Sequence, residues 1–184
     1  PDIDGNINQK AVSFYRDYFS RIRKKNITLY INLFHFDLPM YLMDIGGWTN
    51  KKTVEAYKEY ARKCFELFDD LVDGWFTFNE PIVVQTRVYL DALRWPYEQN
   101  TSTWMQWNYH KVLATACVVK RFRELGYPGT VGCILNPEVT YPRSRAPHDL
   151  RAAEIYDLFY NRMFLDPLVH GVWPPALLAL LEQH

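Results

Sequence analysis

Apolar residues recur at helical spacing in four stretches of this 184-residue chain, and three short runs of β-branched and aromatic residues lie between them. Residues 7 to 25 place Val12, Tyr15, Phe19 and Ile22 three or four apart, with lysine and arginine elsewhere and at the end, a pattern that predicts an amphipathic helix. Residues 51 to 70 repeat it through Val54, Tyr57, Ala61, Cys64, Phe65 and Phe68, and Asn50 stands where an N-cap would. A third helix is expected over about 104 to 125, through Trp107, Val112, Ala116, Val119 and Phe122, with Gly126 as its C-cap. A fourth fits about 147 to 165, with Ile155, Leu158 and Phe159 as its apolar face and Asp166-Pro167 as its stop.

The intervening runs are Ile27 to Phe34, Trp75 to Phe78 and Gly129 to Asn136, whose composition suits buried strands. Helices and strands therefore alternate, which predicts βαβ units around a parallel sheet and an α/β fold. Each run ends in polar residues followed closely by proline: His35-Phe36-Asp37-Leu38-Pro39, Asn79-Glu80-Pro81 and Asn136-Pro137. Proline cannot donate to a ladder and biases the residue before it toward extended geometry, so Glu80 is expected extended at a strand end. If the strands are parallel neighbours, His35, Asn79, Glu80 and Asn136 converge on the edge where α/β proteins bind ligands. Aromatic neighbours would desolvate Glu80 and raise its pKa toward a general acid's range. The residues equally allow an ordinary solvated carboxylate at a strand-to-loop junction.

Charge narrows the function classes. Lysine plus arginine and aspartate plus glutamate each number 21, which argues against a nucleic-acid or anionic-membrane surface. No apolar run approaches the roughly 20 residues of a membrane span, and the N-terminus carries no signal-peptide pattern. Cys64, Cys117 and Cys133 are few, odd in number and set among apolar residues, which reads as buried thiols of a cytoplasmic protein. The five histidines have no metal-ligand spacing, so no metal and no cofactor is expected; His110 reads as a packing or capping residue. Asp91 to Thr103 reads as a loop, Arg143-Ser144-Arg145 as a solvated basic cluster, and residues 175 to 184 as an apolar helix in want of a partner surface.

Taken in order and at these spacings, His35-Phe36-Asp37-Leu38-Pro39, Gly46-Gly47-Trp48 and Thr77-Phe78-Asn79-Glu80-Pro81 resemble family 1 glycoside hydrolases, the β-glucosidase and 6-phospho-β-glucosidase family of (β/α)8 barrels. Asn161 to Pro167 and Gly171-Val172-Trp173-Pro174 continue the resemblance to nearly the end of the chain, with Trp173 where the family has tyrosine. It implies an acid/base role for Glu80, a hydrogen bond from Asn79 to a sugar 2-hydroxyl, a glycone contact for His35, an apolar wall at Phe36, where many members have tryptophan, and a lesser site role for Asn136. Asp37 would order the loop after His35.

A retaining glycosidase needs a second carboxylate about 5 to 5.5 Å from the first. The family's nucleophile lies in a Thr-Glu-Asn-Gly-like motif, and no such run occurs in these residues. Because a complete barrel needs about 250 residues, the chain is expected to be one partial (β/α)8 barrel segment, 1 to 184, of roughly three to four βα units. The partners expected are a β-glycoside or 6-phospho-β-glycoside and either the remaining barrel units or a second copy. A non-catalytic carbohydrate-binding or assembly subunit is the alternative.

Overall fold

The structure, a computed structural model, describes residue 2 and residues 4 to 182, so the last two residues of the apolar C-terminal stretch lie outside the described residues. In chain order the main elements are α1 (Gln9–Arg23), β1 (Tyr30–Asn32), α2 (Met40–Met43), α3 (Lys51–Phe68), β2 (Gly74–Asn79), α4 (Val83–Gln85), α5 (Thr101–Leu125), β3 (Thr130–Ile134), α6 (Pro147–Asp157), α7 (Met163–His170) and α8 (Pro175–Leu181). They fall into two compact units, Pro1–Asn79 with Tyr109–Ile134, and Glu80–Asn108 with Leu135–His184.

The first unit holds the sheet, which is parallel throughout in the order β1-β2-β3. Tyr30, Gly74 and Thr130 lie in register at its amino edge. The expected strand over Ile27 to Phe34 begins late, at Tyr30, because Leu29 is tied to the turn before β2: its N–H donates to Asp73 Oδ2 at 2.7 Å and its carbonyl accepts from Asp73 N at 2.9 Å. Central β2 is the most buried strand. Trp75 packs edge-on against Phe65 of α3, and Phe65 in turn meets Phe122 of α5. Between Phe76 and Asn79 the register with β3 shifts, and there Thr77 and Phe78 are both fully buried in succession rather than alternating. Phe78 is enclosed by Phe34, Trp48 and Tyr57, and Thr77 Oγ1 donates to Gly132 O at 3.0 Å. Aromatic side chains of this size each withdraw a large apolar area from water, about 150–250 Å².

Local signals hold where they were sharp. Asn50 caps α3 by accepting from Lys52 N at 3.0 Å, and Gly126 follows α5 at a left-handed φ of 71°. His110 is buried, its Nδ1 2.6 Å from Trp48 O, and so packs against the Gly46-Gly47-Trp48 turn.

The second unit adds one element for which the sequence offered no expectation and departs from one that it did. Residues 83 to 90 are helical, α4 running into a π-helical turn at Thr86–Leu90. Their β-branched content conceals this in the sequence, and Trp104 Nε1 bonding Thr86 Oγ1 at 3.1 Å and a Gln85–Asn108 bond fix it in the fold. Asp166-Pro167 does not end the fourth helix: a second π-helical turn, Leu158–Arg162, follows α6, and α7 continues past Pro167 to His170. Pro167 lies inside α7, five residues beyond the π turn, where it withdraws one backbone donor without ending the helix. The stop is Gly171, at φ 74°.

Gly74 leaves no room for a side chain, since a Cβ there would stand 2.5 Å from Tyr30 Cε1 and 2.6 Å from Thr130 Oγ1. Gly74→Ala should push Tyr30 off its stack on Phe76 and cost about 1–3 kcal/mol in denaturant titration, with Tyr30→Ala in the same chain relieving much of the loss.

Candidate active site

Parallel pairing brings the carboxyl ends of all three strands to one edge of the sheet. Beyond Asn32 the first strand stays laddered to the second: Leu33 N donates to Phe76 O at 2.8 Å and Asn79 N donates to Phe34 O at 3.0 Å. His35 is therefore the residue next to the one bonded to Asn79, so these two predicted site residues are brought together at the strand ends. His35 is exposed, and its ring meets the Phe36 ring edge-on at 4.7 Å. Phe36 is half-buried at a φ of 78°, a left-handed geometry uncommon for a residue with a Cβ.

Glu80 follows Asn79 directly and is half-buried. Its φ is 43°, so it is left-handed rather than extended as its position before Pro81 suggested. The reason is the abrupt passage from strand to helix, closed by Val83 N donating to Glu80 O at 3.1 Å. A non-glycine residue held this way is strained by about 1–3 kcal/mol and is seen most often at functional positions. Two positive-φ residues thus punctuate the ends of β1 and β2.

Asn136 lies two residues past β3, in the second unit, where its Nδ2 donates to Tyr160 OH at 2.8 Å. A cavity of about 50 Å³ in that unit is lined by Pro81, Ile82, Asn136, Tyr160 and Asn161 among others, so Asn136 stands close to the segment that leaves Glu80.

Some polar groups around the strand ends were not singled out from the sequence. Asn32 closes β1 with Nδ2 donating to Phe34 O at 2.9 Å, while its Oδ1 is buried without a partner. Only its being an amide inside an apolar run could have flagged it. Lys111 of α5 is fully buried, with its Nζ 5.8 Å from the centre of the Phe34 ring. Burial lowers its pKa to about 7, and Cys133 nearby opposes that fall. Cys133 itself is pushed up to about 11, chiefly by burial, which leaves an inert thiol. No group of three or more His, Cys, Asp or Glu side chains placed to hold a metal ion occurs among the described residues, and no helix among them is long and apolar enough to cross a membrane.

A parallel sheet with helices between its strands and polar groups gathered at their carboxyl ends is the arrangement of a (β/α) barrel enzyme, here three strands of one without closure. The solved structures it resembles agree. It superposes on the β-glucosidase from Thermotoga maritima in complex with deoxynojirimycin with a TM-score of 0.90 at 32% identity, covering 97% of this chain and 41% of that one. For the AHE enzyme from Alicyclobacillus herbarius the TM-score is 0.92 at 29% identity, over 97% and 41%. The glycosyl hydrolase family 1 model matches residues 1–184, and the chain belongs to that family as a partial (β/α)8 barrel. It is 43% identical over 182 residues to the 6-phospho-beta-glucosidase GmuD of Bacillus subtilis (strain 168), 99% of this chain and 39% of that protein. Identity to the beta-glucosidase A of Acetivibrio thermocellus is 33% over 183 residues, 100% of this chain and 41% of that one. The chain thus spans about two fifths of the length of the curated relatives it matches.

Lys111 makes stability depend on pH in a definite direction. Its folded pKa lies below its ordinary 10.5, so burying it costs most below about pH 7, and the cost fades as pH rises toward 10.5. Chemical denaturation of wild type and Lys111→Met should show the stability difference moving toward wild type by a few kcal/mol, on the order set by the shift, between those two pH values.

Proposed function

We propose that this chain is one partial-barrel segment of a retaining β-glycosidase acting on β-glucosides or 6-phospho-β-glucosides, with Glu80 as its general acid/base. The observation that carries the reading is Asn79-Glu80-Pro81 at the carboxyl end of the central strand, in a chain whose family is known. In this reading Glu80 protonates the leaving glycosidic oxygen and then takes a proton from the incoming water. Asn79 bonds the sugar 2-hydroxyl, an interaction that strengthens as the oxocarbenium-like state forms, and His35 bonds a glycone hydroxyl. Phe36 offers an apolar wall to the ring, and Asn136 adds a polar group from the third strand end. The higher identity to a 6-phospho-β-glucosidase supports the phosphorylated substrate.

The nucleophile of such a reaction is a second carboxylate, and its motif is not in these 184 residues. We therefore assign it to other βα units of the same barrel, which would pair with the outer edges of β1 and β3. Each of those strands is bonded on one side only among the described residues. Three free thiols, two of them buried enough to be pushed up to about 11, fit a cytoplasmic enzyme.

Hydrolysis of an aryl β-glucoside and its 6-phosphate by the chain, alone and joined by a family 1 fragment that supplies the nucleophile, tests the reading. Turnover is expected only for the combination, with Glu80→Gln lowering it by about 10²- to 10⁴-fold. Sugar binding with no turnover in any combination would overturn it in favour of a non-catalytic binding subunit.

A further inference from the structure

Within the second unit, the loop after β3 is held by a set of bonds that the acid/base reading does not use. Consecutive side chains on an α-helix diverge by about 100°, yet Tyr160 and Asn161 both reach this loop. They do so from the π-helical turn Leu158–Arg162, a widening often found at functional sites. Asn161 clamps the Glu138 backbone from both sides, its Oδ1 accepting from Glu138 N at 2.9 Å and its Nδ2 donating to Glu138 O at 2.8 Å. The Glu138 carboxylate accepts from Tyr156 OH at 2.6 Å, and the Tyr156 ring stacks on Tyr160 with centroids 5.3 Å apart and planes 14° from parallel. The Tyr160 hydroxyl, steadied by this stack, accepts the Asn136 Nδ2–H at 2.8 Å.

An amide held by its nitrogen has its other end decided. With Nδ2 turned to Tyr160, the Oδ1 of Asn136 faces away from that bond, and an amide oxygen can only accept. We propose that Tyr160 is a positioning residue of the substrate site, fixing the Asn136 amide so that Oδ1 is presented to a hydroxyl donor of a bound sugar. Tyr160 is suited to the task because it keeps its proton. Burial first, then the Glu138 carboxylate, push its phenol above the ordinary value, against a smaller lowering by the Asn136 hydrogen bond. The cavity it lines with Pro81 and Ile82 places Tyr160 beside the segment that follows Glu80 rather than on a remote surface.

This inference rests on the glycosidase reading, and the test separates the two. In the chain combined with the family 1 fragment that supplies the nucleophile, Tyr160→Phe, Asn136→Ala and the pair are compared by steady-state kinetics on aryl β-glucoside and its 6-phosphate. The same substitutions are placed in a Glu80→Gln background for calorimetric titration with those compounds. Tyr160→Phe should raise KM and the titrated Kd by about 3- to 10-fold with kcat changed less than about 2-fold, the effect of one hydrogen bond. The pair should be no worse than Asn136→Ala alone. Glu138→Gln, which spares the loop but removes the anion, should shift Kd the same way by a smaller factor. Unchanged KM and Kd in Tyr160→Phe, or losses that multiply in the pair, would overturn the proposal. Absence of hydrolysis by the unsubstituted combination would overturn the acid/base reading instead, and the titration would still decide the role of Tyr160.

Discussion

Pairing of β2 with a parallel neighbour on each side is the constraint on which the remaining features depend. Parallel strands cannot be joined by tight turns, so each connection must travel back along the sheet, and in this chain helices do so. One consequence is burial: β2 has no free edge and takes Trp75, Thr77 and Phe78 out of water, which fixes what α3 and α5 must present to it. A second is placement. Three strands running the same way end on the same side, so residues far apart in sequence, His35 and Asn79, are brought beside each other by the ladder bond between Phe34 and Asn79 rather than by any contact of their own. The strand ends can then vary in side chain without disturbing the bonds that locate them.

The parts of this arrangement that could be read from sequence are those governed by short-range rules. The apolar stripe of α3, its Asn50 cap and the glycine after α5 are decided by residues within a turn or two, and the folded chain keeps them. Strand β2 could be read because aromatic residues crowd into so short a run, and Asn79 with Glu80 because proline follows so closely. What escaped depends on distant partners. β1 begins later than its composition suggests because Asp73, more than forty residues away, draws Leu29 into a different set of bonds. Residues 83 to 90 look unlike a helix because valine and threonine dominate, and the indole of Trp104 and the amide of Asn108 decide otherwise.

The residues proposed for the site divide along the same line. His35, Asn79 and Glu80 are positioned by strand endings, which leave a trace in sequence. Lys111, Tyr160 and Glu138 acquire significance only from what surrounds them: an ammonium above a phenyl ring, a phenol that accepts from an amide and stacks on a second tyrosine, a carboxylate that accepts from that tyrosine. No spacing rule connects position 138 to position 160, and the π turn that joins them is invisible to a count based on 3.6 residues per turn.

The left-handed backbone at Glu80 sets two selective demands against each other at a single codon. That φ suits glycine best and asparagine or aspartate next, while a glutamate carrying a Cβ and a long side chain is among the poorer choices. Aspartate would keep a carboxyl group and ease the backbone, yet it is one methylene shorter. Under the acid/base reading, the presence of glutamate here records that reach toward the glycosidic oxygen has outweighed backbone comfort. The position is then one where substitutions that stabilise the fold and substitutions that preserve the chemistry form nearly disjoint sets.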